Sequence, residues 1–557
     1  MERKLRSNFT KGTVPWAMRR AYWRSMGFTD ADLDKPKIAI VNSSSNLAVC
    51  FTHLDNVAVK LKEAIFAAGG IPMEVRTVAP SDFTTAAACA GGYILAGRDL
   101  VPNDIEAAVE GAMMDGMVCL ASCDKTAPGQ LMAAARLNIP TLVIACGYQP
   151  SGKYKGEHFD IEDLFINVGK YAAGQLSIEE LQDMSDVAVQ GPGVCPGIGT
   201  ANSMHCLCEA LGMALPGSTP VLANSPRMWQ VVRAAGKRIV EMVNENLKPR
   251  DILTKEAFEN AVISLLAVSG SINCIKHLQA VAKEAACDCD IFKLVEEYAD
   301  KIPLLTAIRP NGDHLIEDFE EAGGTLALLK QLDGNINKNA ITVTGKTIGD
   351  WLKDAVVKND EVVRSIDRAW SWRPAISLLR GNLCAQYGVV KLAVEDDRPT
   401  KFEGPAIIFQ TRESAIAAIK AGQVKEGSVV VLRGFGVKGN PGMGLCSNVV
   451  FALDGAGLTD KVAMITDGTV SGLCNKILLV CEISPEMAER GPIAIIENGD
   501  PIRIDVAGRR VDLLVDEAEQ EVRFTRLPPY PETGGNGWLS IYRQMAKPIS
   551  EGAILTK

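Results

Sequence analysis

Cys123-Asp124-Lys125, in the stretch LASCDKTAPGQLMAA, sets a thiol, a carboxylate and an amine side by side. A thiolate suits iron–sulfur chemistry, and a carboxylate suits magnesium or manganese. One turn that carries both could serve two metals with different jobs, if other parts of the chain supply the remaining ligands. Two further cysteines share its setting. Cys50 lies in NSSSNLAVCFTHLD and Cys195 in GPGVCPGIGTANSM, both polar or glycine-rich. Three thiolates do not close a four-ligand structural site. They can hold a cluster with one iron open to substrate, where it acts as a Lewis acid on a hydroxyl group.

The elements that must position these residues are visible in the pattern. KIAIVNSSS reads as a buried strand running into a polar loop, and LDNVAVKLKEAIFAAGG as a helix ended by glycine. IPMEVRTVAP, MVCLASC and TLVIACG read as further strands, with helical AAVEGAMMDG and LMAAARL between them. This alternation predicts an α/β/α domain built on a parallel sheet, at residues 1–362. Such sheets bind ligands at the carboxyl ends of their strands. Cys50, Asp82 and Cys123 each fall in a loop shortly after a predicted strand, which favours a common site. Residues 225–360 are dominated by helical patterns. From about Val363 the character changes to short β runs punctuated by glycine and aspartate: ISLLRGNLCAQYGVVKLAVE, PAIIFQT, GSVVVLRGFG, KVAMITDG, PIAIIENGDPIRIDV and RRVDLLVD. They predict a β-rich, barrel-like domain at residues 363–557.

Composition narrows the function classes. The net charge of −9 argues against a general binder of nucleic acid or anionic membrane. No apolar run approaches the roughly 20 residues that span a bilayer, and the basic N-terminus lacks the apolar core of a signal peptide. A cytoplasmic protein is expected. Fifteen cysteines in such a chain are not a disulfide framework. Cys89, Cys119, Cys146 and Cys384 read as small buried hydrophobes. The pairs Cys206/Cys208 and Cys287/Cys289 lack a second pair at zinc-finger spacing. Five histidines without an H-E-x-x-H give little support to a histidine-built zinc centre.

Gly434-Phe435-Gly436-Val437-Lys438-Gly439 matches G-x-G-x-x-G after a strand, but Asn440-Pro441-Gly442 follows and cannot open a dinucleotide-binding helix. A loop that lets backbone approach a ligand or a neighbouring domain is the better reading. Taken alone, Asp82 and Asp124 would be loop or N-cap aspartates, and Ser471 a turn serine.

In order along the chain, SCDKTAPGQLMAAARLNIP, GVCPGIGTANSM, EDFEEAGG, TVTGKTIGD, RGNL, NPGMG, ITDGTVSG and GPIAIIENGDPIRIDV resemble the dihydroxy-acid dehydratase and phosphogluconate dehydratase family, from about Arg6 to Leu555. The resemblance implies an iron–sulfur hydro-lyase that dehydrates a 2,3-dihydroxy carboxylic acid, an aldonic or branched-chain acid, to a 2-oxo acid. It implies Cys50, Cys123 and Cys195 as ligands of the cluster, 2Fe–2S rather than 4Fe–4S. It implies Asp82 and Asp124 as ligands of Mg2+ or Mn2+, with Lys125 as a further ligand once carbamylated. Carbamylation needs a neutral amine, a form that burial favours. Ser471 corresponds to the serine that removes the α-proton, and His53 to a pocket histidine. The family further implies a homodimer or homotetramer.

The chain departs from that family at informative places. The family's P-G-M-P-E, whose glutamate is a magnesium ligand, reads Pro441-Gly442-Met443-Gly444-Leu445 here. Its D-G-R-F-S-G reads Asp467-Gly468-Thr469-Val470-Ser471-Gly472, so Thr469 stands where an arginine does. Val189 stands in place of a cysteine before the cluster cysteine. Leu445 and Thr469 therefore mark an altered pocket wall. These departures favour a sugar acid or specialised acid over 2,3-dihydroxyisovalerate. Two other classes compete: a cluster-binding homologue without catalysis, used in sensing or assembly, and a thiol redox protein with a reactive Cys123 and no iron.

Overall fold

The structure, a computed structural model, describes residues 5–392, 399–474, 477–533 and 535–556. Four parallel strands form the N-terminal sheet in the order β2-β1-β3-β4: β1 Lys37–Asn42, β2 Ile71–Arg76, β3 Gly116–Ala121 and β4 Thr141–Ala145. β1 and β3 are buried from end to end, as strands covered on both faces must be. The first crossover runs outward from β1 to β2 and the next returns past β1 to β3. Right-handed crossovers in opposite directions send their helices to opposite faces. Helix Leu54–Ala67 accordingly packs with Pro226–Glu245, and helix Gly92–Val109 with Thr126–Leu137. The loops after β1 and β3 diverge at the point where the strand order reverses, which opens a crevice. Cys50 follows β1 and Cys123 follows β3, so the two cysteines flank that crevice.

After a small hairpin, β5 Gly152–Tyr154 and β6 Glu157–Phe159, come the helices of the middle section. The remaining strands are β7 Ile376–Gly381, β8 Cys384–Lys391, β9 Lys401–Phe409, β10 Val429–Leu432, β11 Ala463–Thr466, β12 Leu478–Ser484, β13 Pro501–Asp505 and β14 Arg510–Leu513. They close a barrel in the order β10-β11-β12-β8-β7-β14-β13-β9. Alternation decides what each residue packs against. Val429 and Val431 of β10 fill the barrel with Ile465, Ile502 and Val511, while Val430 and Leu432 join the large core of the N-terminal half.

Several details differ from the sequence reading. Cys89 is exposed and not a buried hydrophobe. The run AAVEGAMMDG is helical only at its start, because helix Gly92–Val109 ends there. The apolar part of PIAIIENGD forms a 3-10 turn, Pro492–Ile495, and the strand run around it begins only at Pro501. β12 was not among the predicted runs; its pattern is broken by buried Glu482 and by a register shift between Cys481 and Ser484. The end of the first predicted run, Ala393–Glu395, lies outside the described residues. No helix among the described residues is long and apolar enough to cross a membrane.

The Gly434–Gly439 loop wraps carboxylates of its own barrel. Asp467 accepts the N–H groups of Gly434 (3.2 Å), Phe435 (2.9 Å) and Met487 (3.0 Å). Glu486 accepts those of Lys438 and Gly439, both at 2.8 Å. A Cβ on Gly436 would stand 2.2 Å from Glu486 Oε2, so glycine is required there by a side chain and not by a dinucleotide. Burial pushes the Glu486 carboxyl up to about 8. The loop then reaches the N-terminal half: Asn440 Nδ2 donates to Cys89 O (3.0 Å) and Leu445 N to Ala90 O (2.8 Å).

Gly442 packs its backbone directly on Gly92 of the N-terminal half. Its φ is +85°, and a Cβ would lie 1.8 Å from Gly92 O. Gly442→Ala is expected to lower stability by about 3 kcal/mol, read as a fall in the thermal or denaturant midpoint. An unchanged midpoint would show that this approach is not needed.

Candidate active site

A cavity of about 410 Å³ opens at the crevice. Cys50, Asp82, Cys123, Asp124 and Cys195 line it, with Leu47, Val49, Phe83, Ile161 and Val189 as its apolar wall. Its size is that of a small-molecule site. The structure thus brings together all three cysteines and both aspartates singled out in the sequence.

Each sulfur is placed by backbone hydrogen bonds. Ser122 Oγ donates to Cys50 O. Thr126 Oγ1 donates to Cys123 O (2.8 Å) and accepts from Ser122 N (2.8 Å), closing the tight turn that carries Cys123-Asp124-Lys125 into helix Thr126–Leu137. Tyr148 pairs with Val194 beyond β4, which brings the Cys195 loop to the same end of the sheet. Helix Thr200–Ala210 fastens both sides. Asn202 Nδ2 donates to Cys195 O (2.9 Å), and His205 Nε2 to Ser122 O (3.0 Å).

The charges at the cavity floor are strongly coupled. Lys125 Nζ lies 3.7 Å from both Asp82 Oδ2 and Asp124 Oδ2. Burial opposes ionisation of Asp124, but Lys125, Asp82, the Thr200 hydroxyl and the Ala201 N–H outweigh it and hold that carboxyl below the usual range. Asp124 thereby caps the positive end of helix Thr200–Ala210. Burial and the Asp124 charge push the Asp82 carboxyl well up, so the two share a proton. Asp82 Oδ1 is buried with no hydrogen-bond partner. A buried, unpaired oxygen beside a shared proton is what a divalent cation would satisfy. One carboxylate oxygen from each aspartate and Cys123 Sγ lie within 4.8 Å of one another.

Neighbouring charges and burial bear on two of the sequence readings. Burial does push on the Lys125 amine, but Asp82, Asp124 and Cys123 outweigh it and raise its pKa. Burial alone therefore does not supply the neutral amine that carbamylation needs. A reactive Cys123 thiolate is also not found. The hydrogen bond with Cys50, then burial, push the Cys123 thiol up, and burial together with Cys123 does the same for Cys195. Low-pKa, exposed thiols mark redox cysteines; these are the opposite, and they would ionise on metal binding.

The other sequence candidates sit around the cavity and not on its wall. His53 is buried, its Nε2 donating to Cys146 O (2.7 Å) while Nδ1 has no partner; burial lowers its pKa and keeps it neutral. Leu445 and Thr469 are paired across a parallel bridge. Cys446 N donates to Thr469 O (2.8 Å), and Thr469 N to Gly444 O (3.0 Å). The two positions that depart from the resembled pattern are therefore neighbours, and both are uncharged in this chain. Ser471 is half-buried. Its N–H donates to Ser447 Oγ (2.8 Å) and its Oγ accepts from Leu473 N (3.3 Å). A Cβ on the next residue, Gly472, would stand 2.8 Å from Thr200 N, so the Ser471 loop lies against the helix end that Asp124 caps.

Sequence reasoning missed Thr200, Gln149 and Lys391. Gln149 lines the cavity. Lys391, at the end of the apolar run GVVK, turns inward, and its buried Nζ donates to Gly472 O (3.4 Å). Burial pushes its pKa down to about 8, leaving it cationic at neutral pH. A lysine that ends an apolar strand resembles a solvated strand end, so only the closed barrel reveals its direction.

The Lys391 shift has a measurable sign. Its folded pKa is about 8 against an ordinary 10.5. Between those values the unfolded chain binds a proton that the folded chain does not, so stability rises with pH by up to about 3 kcal/mol. Lys391→Met is expected to remove this rise from a stability profile taken between pH 8 and 10.5. An identical slope in variant and parent would contradict the burial of that charge.

Comparison with known proteins shows the family. Residues 35–351 match the family described as dihydroxy-acid/6-phosphogluconate dehydratase N-terminal, and residues 361–553 the corresponding C-terminal family. The chain is 40% identical over 552 residues to the dihydroxy-acid dehydratase of Pyrococcus abyssi. It is 39% identical over 553 residues to that of Caldicellulosiruptor bescii and 38% over 554 residues to that of Aquifex aeolicus. Each alignment covers 99% of this chain and 100% of the relative.

Proposed function

The chain belongs to the dihydroxy-acid/6-phosphogluconate dehydratase family, and from that premise we propose that it is a hydro-lyase that converts a small 2,3-dihydroxy carboxylic acid to a 2-oxo acid. The observation that carries the reading is the convergence of three cysteines and two aspartates on one cavity. The donor set fits two metals of different hardness. Cys50, Cys123 and Cys195 would hold an iron–sulfur cluster, 2Fe–2S by family resemblance. Asp82 and Asp124 would hold Mg2+ or Mn2+, with Lys125 as their counter-ion or, carbamylated, a third ligand. These groups supply Lewis acidity, which makes a hydroxyl a better leaving group and stabilises charge on a substrate carboxylate.

The chain's own residues provide the proton chemistry. Ser471 takes the proton from C2. A serine is a weak base unless its alkoxide is stabilised. The Leu473 N–H directed at Ser471 Oγ and the cationic Lys391 on the neighbouring carbonyl favour the charged form. Phe83, Val49 and Ile161 give the cavity an apolar wall. Loss of the C3 hydroxyl leaves an enol, which tautomerises to the 2-oxo acid. Leu445 cannot coordinate magnesium, so the hard-metal site has one protein ligand fewer than the family pattern. That absence is the one observation favouring the second reading, a cluster-binding homologue without catalysis.

Protein purified without oxygen is expected to form 2-oxo acid from at least one member of a panel of 2,3-dihydroxyisovalerate and five- and six-carbon aldonates. Ser471→Ala is expected to lower kcat by about a thousandfold or more with iron content unchanged. Turnover that survives the substitution would remove Ser471 as the base. Absence of product from every acid would overturn the enzymatic reading in favour of the non-catalytic one.

A further inference from the structure

The Gly468–Gly472 loop is tied at every residue. Gly468 O accepts from Glu482 N (2.9 Å), and Thr469 Oγ1 donates to Glu482 Oε1 (2.8 Å). Val470 O accepts from Asn273 Nδ2 (2.9 Å), Ser471 N donates to Ser447 Oγ, and Gly472 O accepts from Lys391. Two of these ties lead to one buried ion pair. Lys276 and Glu482 are each 1% exposed, and Lys276 Nζ donates to Glu482 Oε1. The ammonium also reaches Asn273 Oδ1 (2.6 Å) and Thr469 Oγ1 (3.4 Å), so its three N–H groups have three acceptors. Asn273 continues the network: its Nδ2 lies 3.2 Å from Ser271 Oγ, which lies 2.8 Å from Thr200 Oγ1 at the start of helix Thr200–Ala210.

A buried ion pair is a poor way to gain stability, because apolar side chains of similar volume do as well or better. What it does provide is direction. The pair, with Asn273, holds consecutive groups of Thr469 and Val470 at fixed positions, and Ser471 follows. Glu482 also sits at φ +56°, a left-handed conformation at the register shift between Cys481 and Ser484. Thr469, shorter than the arginine of the usual pattern, is the hydroxyl through which the pair grips the loop.

We propose that Lys276, Glu482 and Asn273 are positioning residues that, through Thr469 and Val470, fix Ser471 against the N-terminus of helix Thr200–Ala210 for proton removal. The proposal rests on Ser471 as the base. A misplaced base loses rate in the chemical step and leaves ground-state binding largely intact.

The test uses the holoenzyme and the acid of the panel with the highest turnover. Thr469→Val removes the hydroxyl that joins the loop to Glu482. It is expected to lower kcat about tenfold or more while KM changes by less than about threefold, with an unchanged melting temperature. Thr469→Ser is expected to restore most of the rate. In the Ser471→Ala background, Thr469→Val is expected to cause no further loss. Parental kcat in Thr469→Val, or an equal further loss in the Ser471→Ala background, overturns the positioning role even where Ser471 is confirmed as the base. Lys276→Met tests the pair directly; if it folds with parental kcat, the proposal also fails. Turnover retained by Ser471→Ala alone removes the reading underneath it.

Discussion

Two carboxylates and an ammonium share a buried floor beside three thiols, and much of the N-terminal half is arranged around that charge. Asp82 and Asp124 cannot both ionise there without a cation. Lys125 at 3.7 Å from each supplies one charge, and the end of helix Thr200–Ala210 supplies part of another. The remaining imbalance leaves a shared proton and the unpaired Asp82 Oδ1. The topology makes this arrangement possible, because reversal of strand order between β1 and β3 leaves a crevice into which the loops after β1, β2 and β3 converge. The Cys123–Lys125 turn joins the two kinds of donor: Cys123 stands with the other thiols, and Asp124 and Lys125 with the Asp82 carboxylate.

The second half of the protein acts on the same floor from the barrel. Its loops end on the Cys89–Gly91 turn through Leu445 and on the capped helix through Gly472. Leu445 and Thr469, which looked like two separate departures in the sequence, are bridge partners and form one change in the structure. Both positions carry uncharged side chains, so neither adds charge beside the site. A lysine that Thr469 touches, Lys276, is already neutralised by Glu482.

Much of this was legible in the sequence. The parallel sheet could be read because its strands are buried on both faces and so stay apolar along their length. The cysteines and aspartates could be read because their residue types fall in loops that follow strands, and because the ordered motifs resemble one family. What could not be read has a common cause. Asn273 and Lys276 share one helix, while Lys391 and Glu482 come from strands far along the chain, and each looks locally like an ordinary polar residue on a helix or strand. Glu482 even hid the strand that carries it, since a buried charge within a bulged strand breaks the alternation by which strands are recognised. The turn Pro492–Ile495 failed in the opposite way, because four apolar residues in a row do not distinguish a strand from a helical turn.

The central claim is that one turn serves two distinct metals in one cavity. The most direct measurement is the iron, sulfide and magnesium content of the anaerobically purified protein beside its Cys123→Ser and Asp82→Asn variants. The account expects the parent to carry all three, Cys123→Ser to lose iron and sulfide, and Asp82→Asn to lose magnesium while it keeps iron. A parent without iron, or a Cys123→Ser variant that retains its full iron content, would contradict it.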